Sequence, residues 1–160
     1  MDWFGNNTST NLFYLASKES ALIDPEYRYK IASPIITIGG KKGNKTTYFE
    51  NSEYYSEKMG IPSIFFGKYI GNKISCPLSI DKEKKCISWK GEYTNEQIES
   101  QLKEFIKIYV LCPCCDYPEI DLYLDEKKLI GKLCRSCGTS NLIETRYFDK
   151  TYDFIQKNIK

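Results

Sequence analysis

The chain has 160 residues with a formal net charge of +2, and 41% of its residues are hydrophobic. This composition excludes a disordered protein, and the small net charge does not by itself predict nucleic-acid binding. The first residues have neither a basic region nor an apolar one, and no run approaches the roughly 18 apolar residues of a membrane span. We therefore expect a cytoplasmic protein with no signal peptide and no membrane contact.

Residues 1–25 are predicted to form a flexible or loosely docked N-terminal extension. They are rich in Asn, Ser and Thr, apart from a short apolar patch at 12–15. Asp24-Pro25 ends the segment, because a proline and the residue before it interrupt regular structure.

Residues 26–109 are predicted to form a small α/β module, with strands expected at 35–38, 46–49, 74–80 and 86–89. The glycine-rich segment 39–45 separates the first two strands and contains Lys41, Lys42 and Lys45. It is predicted to be a long basic tip on a hairpin.

Three helices are predicted in this module. The two short ones are expected at 51–59, ended by Gly60, and at 62–70, ended by Gly71. The third follows a Thr94-x-x-Gln97 capping box, and apolar residues recur along one face of it. These are Ile98, Leu102, Phe105, Ile106 and Tyr109.

Residues 110–148 contain two cysteine pairs, Cys112-x-x-Cys115 and Cys134-x-x-Cys137, which are 18 residues apart. Two intervening residues let both thiolates of a pair reach one ion, and a second pair completes a tetrahedral site. The chain has no histidine. The spacing therefore predicts one structural zinc ion held by cysteine alone.

The sequence around the two pairs favours a zinc ribbon over the alternatives, which are disulfide pairing or four unrelated core cysteines. Residues 120–124 alternate as a strand does, 125–128 form a polar turn, and 129–133 return. Gly138 suits a knuckle that needs a positive φ. The other three cysteines are interpreted as core or surface thiols: Cys76, Cys86 and Cys114. Residues 149–160 are predicted to be a C-terminal helix.

The sequence contains few residue combinations that could support catalysis. The absence of histidine excludes Ser-His-Asp and Cys-His nucleophilic systems. The glycine-rich segment lacks the Gly-Lys-Ser/Thr of a P-loop, and an all-cysteine zinc site is coordinatively closed. We therefore interpret the chain as a module that binds or activates another molecule.

Arg28 is the only arginine among the first 134 residues, although the chain has 23 lysines and arginines in total. A guanidinium can straddle phosphate oxygens with a planar set of donors, whereas lysine offers a point charge. A surface ion pair is the alternative. For a second lysine cluster, Lys82, Lys84 and Lys85, a solvated loop is the preferred interpretation.

Several short motifs, in order and with similar spacing, resemble the amino-terminal domain of the eukaryotic translation initiation factor 5 and initiation factor 2 beta family. They are YRYK (27–30), the segment 39–45 followed by Thr46, FG (66–67), FIKIYVLCP (105–113), CDYPEIDL (115–122) and IGKLCRSCG (130–138). The YRYK motif and the basic glycine-rich segment favour the factor 5 branch.

The resemblance implies an α+β fold in which a module similar to initiation factor 1 precedes a four-cysteine zinc ribbon. It implies a monomer that activates GTP hydrolysis by the gamma subunit of initiation factor 2, and that acts with initiator tRNA on the small ribosomal subunit. Arg28 would be an arginine finger acting in trans, and Lys45 would support it. Lys41, Lys42 and Lys45 are expected to face RNA.

Three departures from the family pattern bear on these expectations. Ile64 stands where the family typically has a lysine, two residues before the Phe-Gly pair. The motif region starts after a 26-residue lead, and we expect the chain to lack the helical-repeat domain that follows in the family. Two alternatives therefore stay open: a factor 2 beta-like structural subunit, and a ribosome-binding modulator of start-codon choice without GTPase activation.

Overall fold

The computed structural model describes residues 12–14, 30–115, 117–144, 146 and 149–159. These residues form two compact units, one comprising 34–104 and the other comprising 105–160 together with 1–33. The expected α+β class is confirmed. Within the described part of the chain, no helix is both long enough and apolar enough to cross a membrane.

The described strands, in chain order, are β1 (Leu12–Tyr14), β2 (Lys30–Ala32), β3 (Ile36–Lys41), β4 (Asn44–Phe49), β5 (Leu78–Asp81), β6 (Cys86–Lys90), β7 (Ile120–Leu124), β8 (Ile130–Cys134) and β9 (Ser140–Leu142). The described helices are α1 (Ser52–Met59), α2 (Ser63–Lys73), α3 (Asn95–Phe105) and α4 (Lys150–Asn158). A π-helix, Ile106–Val110, follows α3 directly.

Part of the predicted N-terminal extension is a strand. β1 pairs antiparallel with β2, with Phe13 opposite Ile31. Residues 12–14 of the apolar patch therefore take part in a sheet instead of lying in a free tail. The rest of 1–25 lies outside the described residues.

The unit 34–104 is built on a four-stranded antiparallel sheet in the order β3-β4-β6-β5. Phe49 pairs with Ile87 and Thr47 with Trp89, so these four buried side chains lie on one face. Apolar side chains from the three helices are buried in the same unit: Tyr55, Phe66, Ile70, Ile98 and Leu102. The Phe49 ring meets the ring of Tyr55 edge-on at 5.2 Å between centroids.

The prediction of a long basic tip at 39–45 is wrong. β3 continues through Lys41 and β4 begins at Asn44, so the turn contains only Lys42 and Gly43. Gly40 lies within the strand at φ +101°, and a Cβ there would collide with the carbonyl oxygen of Asn44. The glycines therefore serve a tight hairpin, not a loose loop.

α1 ends as predicted, with Gly60 in the left-handed region at φ +69°. α2 does not end at Gly71 but continues to Lys73. A Cβ at Gly71 would lie 2.6 Å from the carbonyl oxygen of Cys76, so this glycine permits close packing and does not end the helix. The chain then turns through Ser75, which has φ +58°, and the next strand starts only at Leu78.

The capping box of α3 is confirmed in both directions. Thr94 N donates to Gln97 Oε1 at 2.9 Å, and Gln97 N donates to Thr94 Oγ1 at 3.2 Å. The predicted apolar face, from Ile98 to Tyr109, is buried throughout. The π-helix was not predicted, because an i to i+5 turn leaves no clear mark in an apolar pattern.

The second unit contains the ribbon, a three-stranded antiparallel sheet in the order β7-β8-β9. β7 and the polar turn lie as predicted, whereas β9 was not predicted. α4 is capped by Asp149, whose carboxylate accepts from Tyr152 N at 2.9 Å. Tyr152 is buried, and its hydroxyl accepts from Ile130 N at 2.8 Å, so α4 packs on the ribbon. The C-terminal part of this unit begins at Phe105, and the π-helix within it contacts β7.

Candidate metal centre

The sulphur atoms of Cys112, Cys115, Cys134 and Cys137 all lie within 4.8 Å of one another. Two of the separations, each between one cysteine pair and the other, are 3.6 Å for Cys112 to Cys137 and 3.5 Å for Cys115 to Cys134. Tetrahedral zinc with Zn–S bonds of about 2.3 Å needs sulphur separations of about 3.8 Å. The four sulphurs therefore surround a space of the size that such an ion requires.

Two turns place these ligands. Cys112 follows the π-helix, and Cys134 ends β8. Backbone amides point at the first sulphur of each pair, because Cys114 N donates to Cys112 Sγ at 3.3 Å and Cys137 N donates to Cys134 Sγ at 3.4 Å. Such donors favour the thiolate, which is the form that binds metal. Gly138 has φ +76°, as predicted for the second turn.

Two thiols of the cluster have pKa values shifted in opposite directions. Hydrogen bonding from Thr139, whose hydroxyl lies 3.1 Å from Cys137 Sγ, lowers the pKa of Cys137 to about 6. Burial raises the pKa of Cys115 to about 12. Four adjacent sulphurs do not all ionise without an opposing charge, and a divalent cation supplies that charge.

The geometry excludes disulfides between these cysteines. Every cysteine in the chain is a free thiol, and the closest sulphurs are far beyond the roughly 2.05 Å of a disulfide bond. Cys114 is exposed and does not belong to the cluster. Cys76 and Cys86 are buried in the other unit, where Cys76 Sγ donates to the carbonyl oxygen of Lys90 at 3.2 Å.

Sequence reasoning did not single out Lys132, which lies two residues before Cys134 and is 6% exposed. Its Nζ donates to the carbonyl oxygens of Ile108 at 2.8 Å and Leu111 at 3.1 Å. A cation at the end of a helix stabilises its unpaired carbonyls, and here it joins the π-helix to β8. Burial lowers the pKa of Lys132, and the nearby Cys112 opposes this shift.

The predicted basic residues lie on the β3–β4 hairpin. Lys41 and Lys42 are exposed, whereas Lys45 lies within β4 and donates from Nζ to the carbonyl oxygen of Gly40 at 3.1 Å. Ile64 lies half-buried in the first turn of α2. Arg28 lies outside the described residues.

The class that this fold and site define is an α+β protein with a four-cysteine ribbon. A family model, described as a domain found in initiation factors 2B and 5, matches residues 18–140, and the chain belongs to that family. It is 31% identical over 136 residues to eukaryotic translation initiation factor 5 of Mus musculus, and 29% identical over 138 residues to the factor of that name in Caenorhabditis elegans. An Arabidopsis thaliana protein, probable eukaryotic translation initiation factor 5-1, is 27% identical over 135 residues.

These alignments cover 84% to 86% of this chain but only 30% or 31% of each relative. The chain therefore spans about a third of the length of the curated relatives that it matches.

Proposed function

We propose that this protein is a translation initiation factor of the factor 5 type, which stimulates GTP hydrolysis by the gamma subunit of initiation factor 2 and contributes to start-codon selection. The family match over 18–140 carries the proposal. The names of the relatives support the factor 5 branch. Such a protein works in the cytoplasm with initiation factor 2, initiator tRNA and the small ribosomal subunit.

The metal in this proposal is one zinc ion held by Cys112, Cys115, Cys134 and Cys137. Four thiolates at tetrahedral separations are the ligand set and geometry of structural zinc. The four thiolates would fill all four coordination positions of the ion. The ion would therefore stabilise the ribbon and carry out no catalytic step.

The activating group in this proposal is Arg28. During GTP hydrolysis, negative charge spreads over the oxygens of the transferred phosphoryl group, and a guanidinium inserted from a second protein can stabilise it. The proposal draws on the YRYK motif at 27–30 and on the superiority of arginine over lysine where two oxygens must be bridged. The protein is then not an enzyme itself but completes the active site of another.

Lys41 and Lys42 are proposed to contact ribosomal or transfer RNA. Both are exposed at the end of a narrow hairpin with a two-residue turn. Such a hairpin can follow a phosphate backbone without reading bases. Lys45 is proposed to act mainly by supporting the hairpin, because its ammonium group already bonds to the carbonyl oxygen of Gly40.

Single-turnover GTP hydrolysis in a reconstituted pre-initiation complex tests the proposal. We expect addition of the zinc-loaded chain to accelerate hydrolysis at saturating concentration. Stable copurification with the gamma subunit and no acceleration would instead favour a factor 2 beta-like subunit. Ribosome binding without acceleration would favour a modulator of start-codon choice.

A further inference from the structure

Lys132 is a buried cation beside the candidate metal centre. It is 6% exposed, lies on β8 two residues before Cys134, and lines the same cavity as Cys112. A buried charge is costly unless hydrogen bonds and an opposite charge compensate for it. The surroundings of Lys132 must therefore balance its ammonium group.

Two backbone carbonyl oxygens provide part of this compensation. Lys132 Nζ donates to the carbonyl oxygen of Ile108 at 2.8 Å and to that of Leu111 at 3.1 Å. Both acceptors are neutral, so they satisfy N–H groups without supplying a negative charge. The ammonium group therefore still needs an anion at short range.

The bond to Leu111 brings the ammonium group next to a metal ligand. Its acceptor oxygen belongs to the peptide group that joins Leu111 to Cys112, and the N–H of the same group donates to the carbonyl oxygen of Tyr117 at 3.0 Å. The peptide plane before Cys112 is thus held at both ends. Because Lys132 lies on the strand that ends at Cys134, this one side chain fixes the first cysteine pair relative to the second.

The metal centre is also the stronger counter-charge. Cys112 acts on the charge of Lys132 more strongly than Glu144 does. The side chain of Glu144 is 61% exposed and contacts Arg146 Nε at 2.8 Å, so water screens it and another cation competes for it. Four thiolates around one divalent ion leave two surplus negative charges, and Cys112 carries part of this surplus near Lys132.

Other cations near the centre are less well placed. Arg135 follows Cys134, but its side chain is 58% exposed and contacts Glu119 at 3.3 Å and Asp121 at 3.6 Å. Lys107 lines the same cavity as Lys132 but is exposed. Water screens an exposed charge, whereas a buried charge at the same distance acts with little screening.

We propose that Lys132 is the charge-balancing and positioning residue of the metal centre. Its ammonium group offsets the surplus negative charge of the four thiolates, and its bond to the Leu111 carbonyl holds Cys112 in place as a ligand. The metal affinity of the ribbon then depends on a lysine that is not itself a ligand. This inference rests on the proposed zinc ion but not on the proposed GTPase activation.

The test compares metal binding by the full chain and by Lys132→Met, which removes the charge and the donors at similar length. Competition with a chromophoric chelator measures zinc affinity. We expect a loss of about 10–100-fold, the range found when a group that holds a metal ligand is removed. Lys107→Met is the matched control, because it removes an exposed cation from the same cavity and should change the affinity by less than about threefold.

The spectrum of cobalt-substituted protein separates the charge from the hydrogen bonds. Lys132→Gln keeps N–H donors without a charge. At saturating cobalt, we expect the thiolate-to-cobalt charge-transfer bands of both Lys132 variants to move to longer wavelength, because sulphur holds its electrons less tightly once a neighbouring cation is gone. A lysine with only a structural role would change the affinity without moving these bands.

Unchanged zinc affinity in Lys132→Met would overturn the proposal. A lower affinity with band positions equal to those of the parent would also overturn it, because Lys132 would then be a structural residue only. If Lys132→Met binds no cobalt, the band positions of Lys132→Gln decide. Failure of the parent chain itself to bind zinc would contradict the proposed metal centre, and this inference with it.

Discussion

The indole of Trp89 donates from Nε1 to the backbone carbonyl oxygen of Gly67 at 3.2 Å, from the centre of the four-stranded sheet to the middle of α2. Two glycines one turn apart make this approach possible. A Cβ at Gly67 would lie 2.8 Å from Leu78 Cδ1, and one at Gly71 would lie 3.3 Å from the indole nitrogen. The Phe66-Gly67 pair of the family motif thus packs a helix against a tryptophan.

Gly71→Ala should destabilise the unit 34–104 more than Gly67→Ala. The new methyl at 71 meets the backbone carbonyl of Cys76, which cannot rotate away, whereas Leu78 is a flexible side chain. Overpacking costs about 1–3 kcal/mol, and at Gly67 a helix-propensity gain of about 1 kcal/mol offsets part of it.

Urea unfolding followed by the fluorescence of Trp89, in a Trp3→Phe background, measures both variants. Ser100→Ala, at an exposed position of α3, is the control and should change stability by less than about 0.5 kcal/mol. Equal stability of Gly71→Ala and the parent would contradict the packing argument.

Cys134→Ser should abolish stoichiometric zinc binding, and Cys114→Ser should not. Cys134 belongs to the sulphur cluster and Cys114 does not. Elemental analysis and the thiolate charge-transfer bands of a cobalt-substituted sample report the ligand set directly. Loss of metal in Cys114→Ser, or four-sulphur cobalt spectra in Cys134→Ser, would refute the assignment. A strong chelator should unfold the ribbon before the unit 34–104, because metal binding and ribbon folding are coupled.

A Lys41→Gln/Lys42→Gln variant should weaken ribosome binding and reduce its dependence on salt. Each phosphate contact contributes about 0.7–0.9 to the slope of log K against log salt, so the slope should fall by about 1.5. Lys45→Gln should have a smaller effect, because that ammonium bonds within the hairpin. The matched control is Lys82→Gln/Lys85→Gln, which neutralises exposed lysines on the other turn of the same sheet. A slope equal to that of the parent would show that the hairpin is only solvated.

Arg28→Lys should retain docking but lose most of the stimulation of GTP hydrolysis. Arginine fingers contribute on the order of 10³–10⁵ in rate, and a lysine keeps the charge without the bridging geometry. The rate must be measured in saturated complex, so that weaker docking is not mistaken for lost chemistry. An exposed ion pair is worth only about 0–1 kcal/mol, so a nearly unchanged rate would assign Arg28 to such a pair.

Glu99→Gln should stabilise the fold at neutral pH. Burial raises the pKa of Glu99, and this effect exceeds the opposing influence of Lys103. A carboxyl with a raised folded pKa destabilises the native state once ionised, and this cost disappears as the pH falls through that pKa.

The stabilisation by Glu99→Gln should therefore shrink as the pH falls through the raised folded pKa and be absent well below the unfolded value of about 4.3, where the carboxyl is protonated in both states. Thermal unfolding of the variant and the parent at each pH gives the difference. Glu83→Gln, exposed in the turn before β6, should show no such trend.

Local chemistry made much of the fold predictable. The Thr94 capping box and the four-cysteine spacing depend on contacts between near neighbours in the chain, and both appear as expected. Gly40 and Gly71 were misread because the atoms that exclude a side chain there, the carbonyl oxygens of Asn44 and Cys76, are placed by the folded structure. A glycine required for close packing has the same sequence appearance as one that ends an element.

The same distinction between local sequence and folded structure applies to the candidate site. Spacing alone pointed to the four cysteines that the fold brings together, whereas Lys132 gains its role from burial, which a lysine in a strand does not reveal. The proposed role of Arg28 derives from a motif and remains a prediction.

The exposure of Cys114, between two residues whose sulphurs belong to the cluster, has a practical consequence. Once a metal engages the four clustered sulphurs, and with Cys76 and Cys86 buried, Cys114 is the single surface thiol of the seven that this chain contains. A maleimide dye or nitroxide spin label can then be attached there without mutagenesis. The probe would report from the edge of the ribbon on docking to a ribosome, and its stoichiometry would show whether the metal is in place.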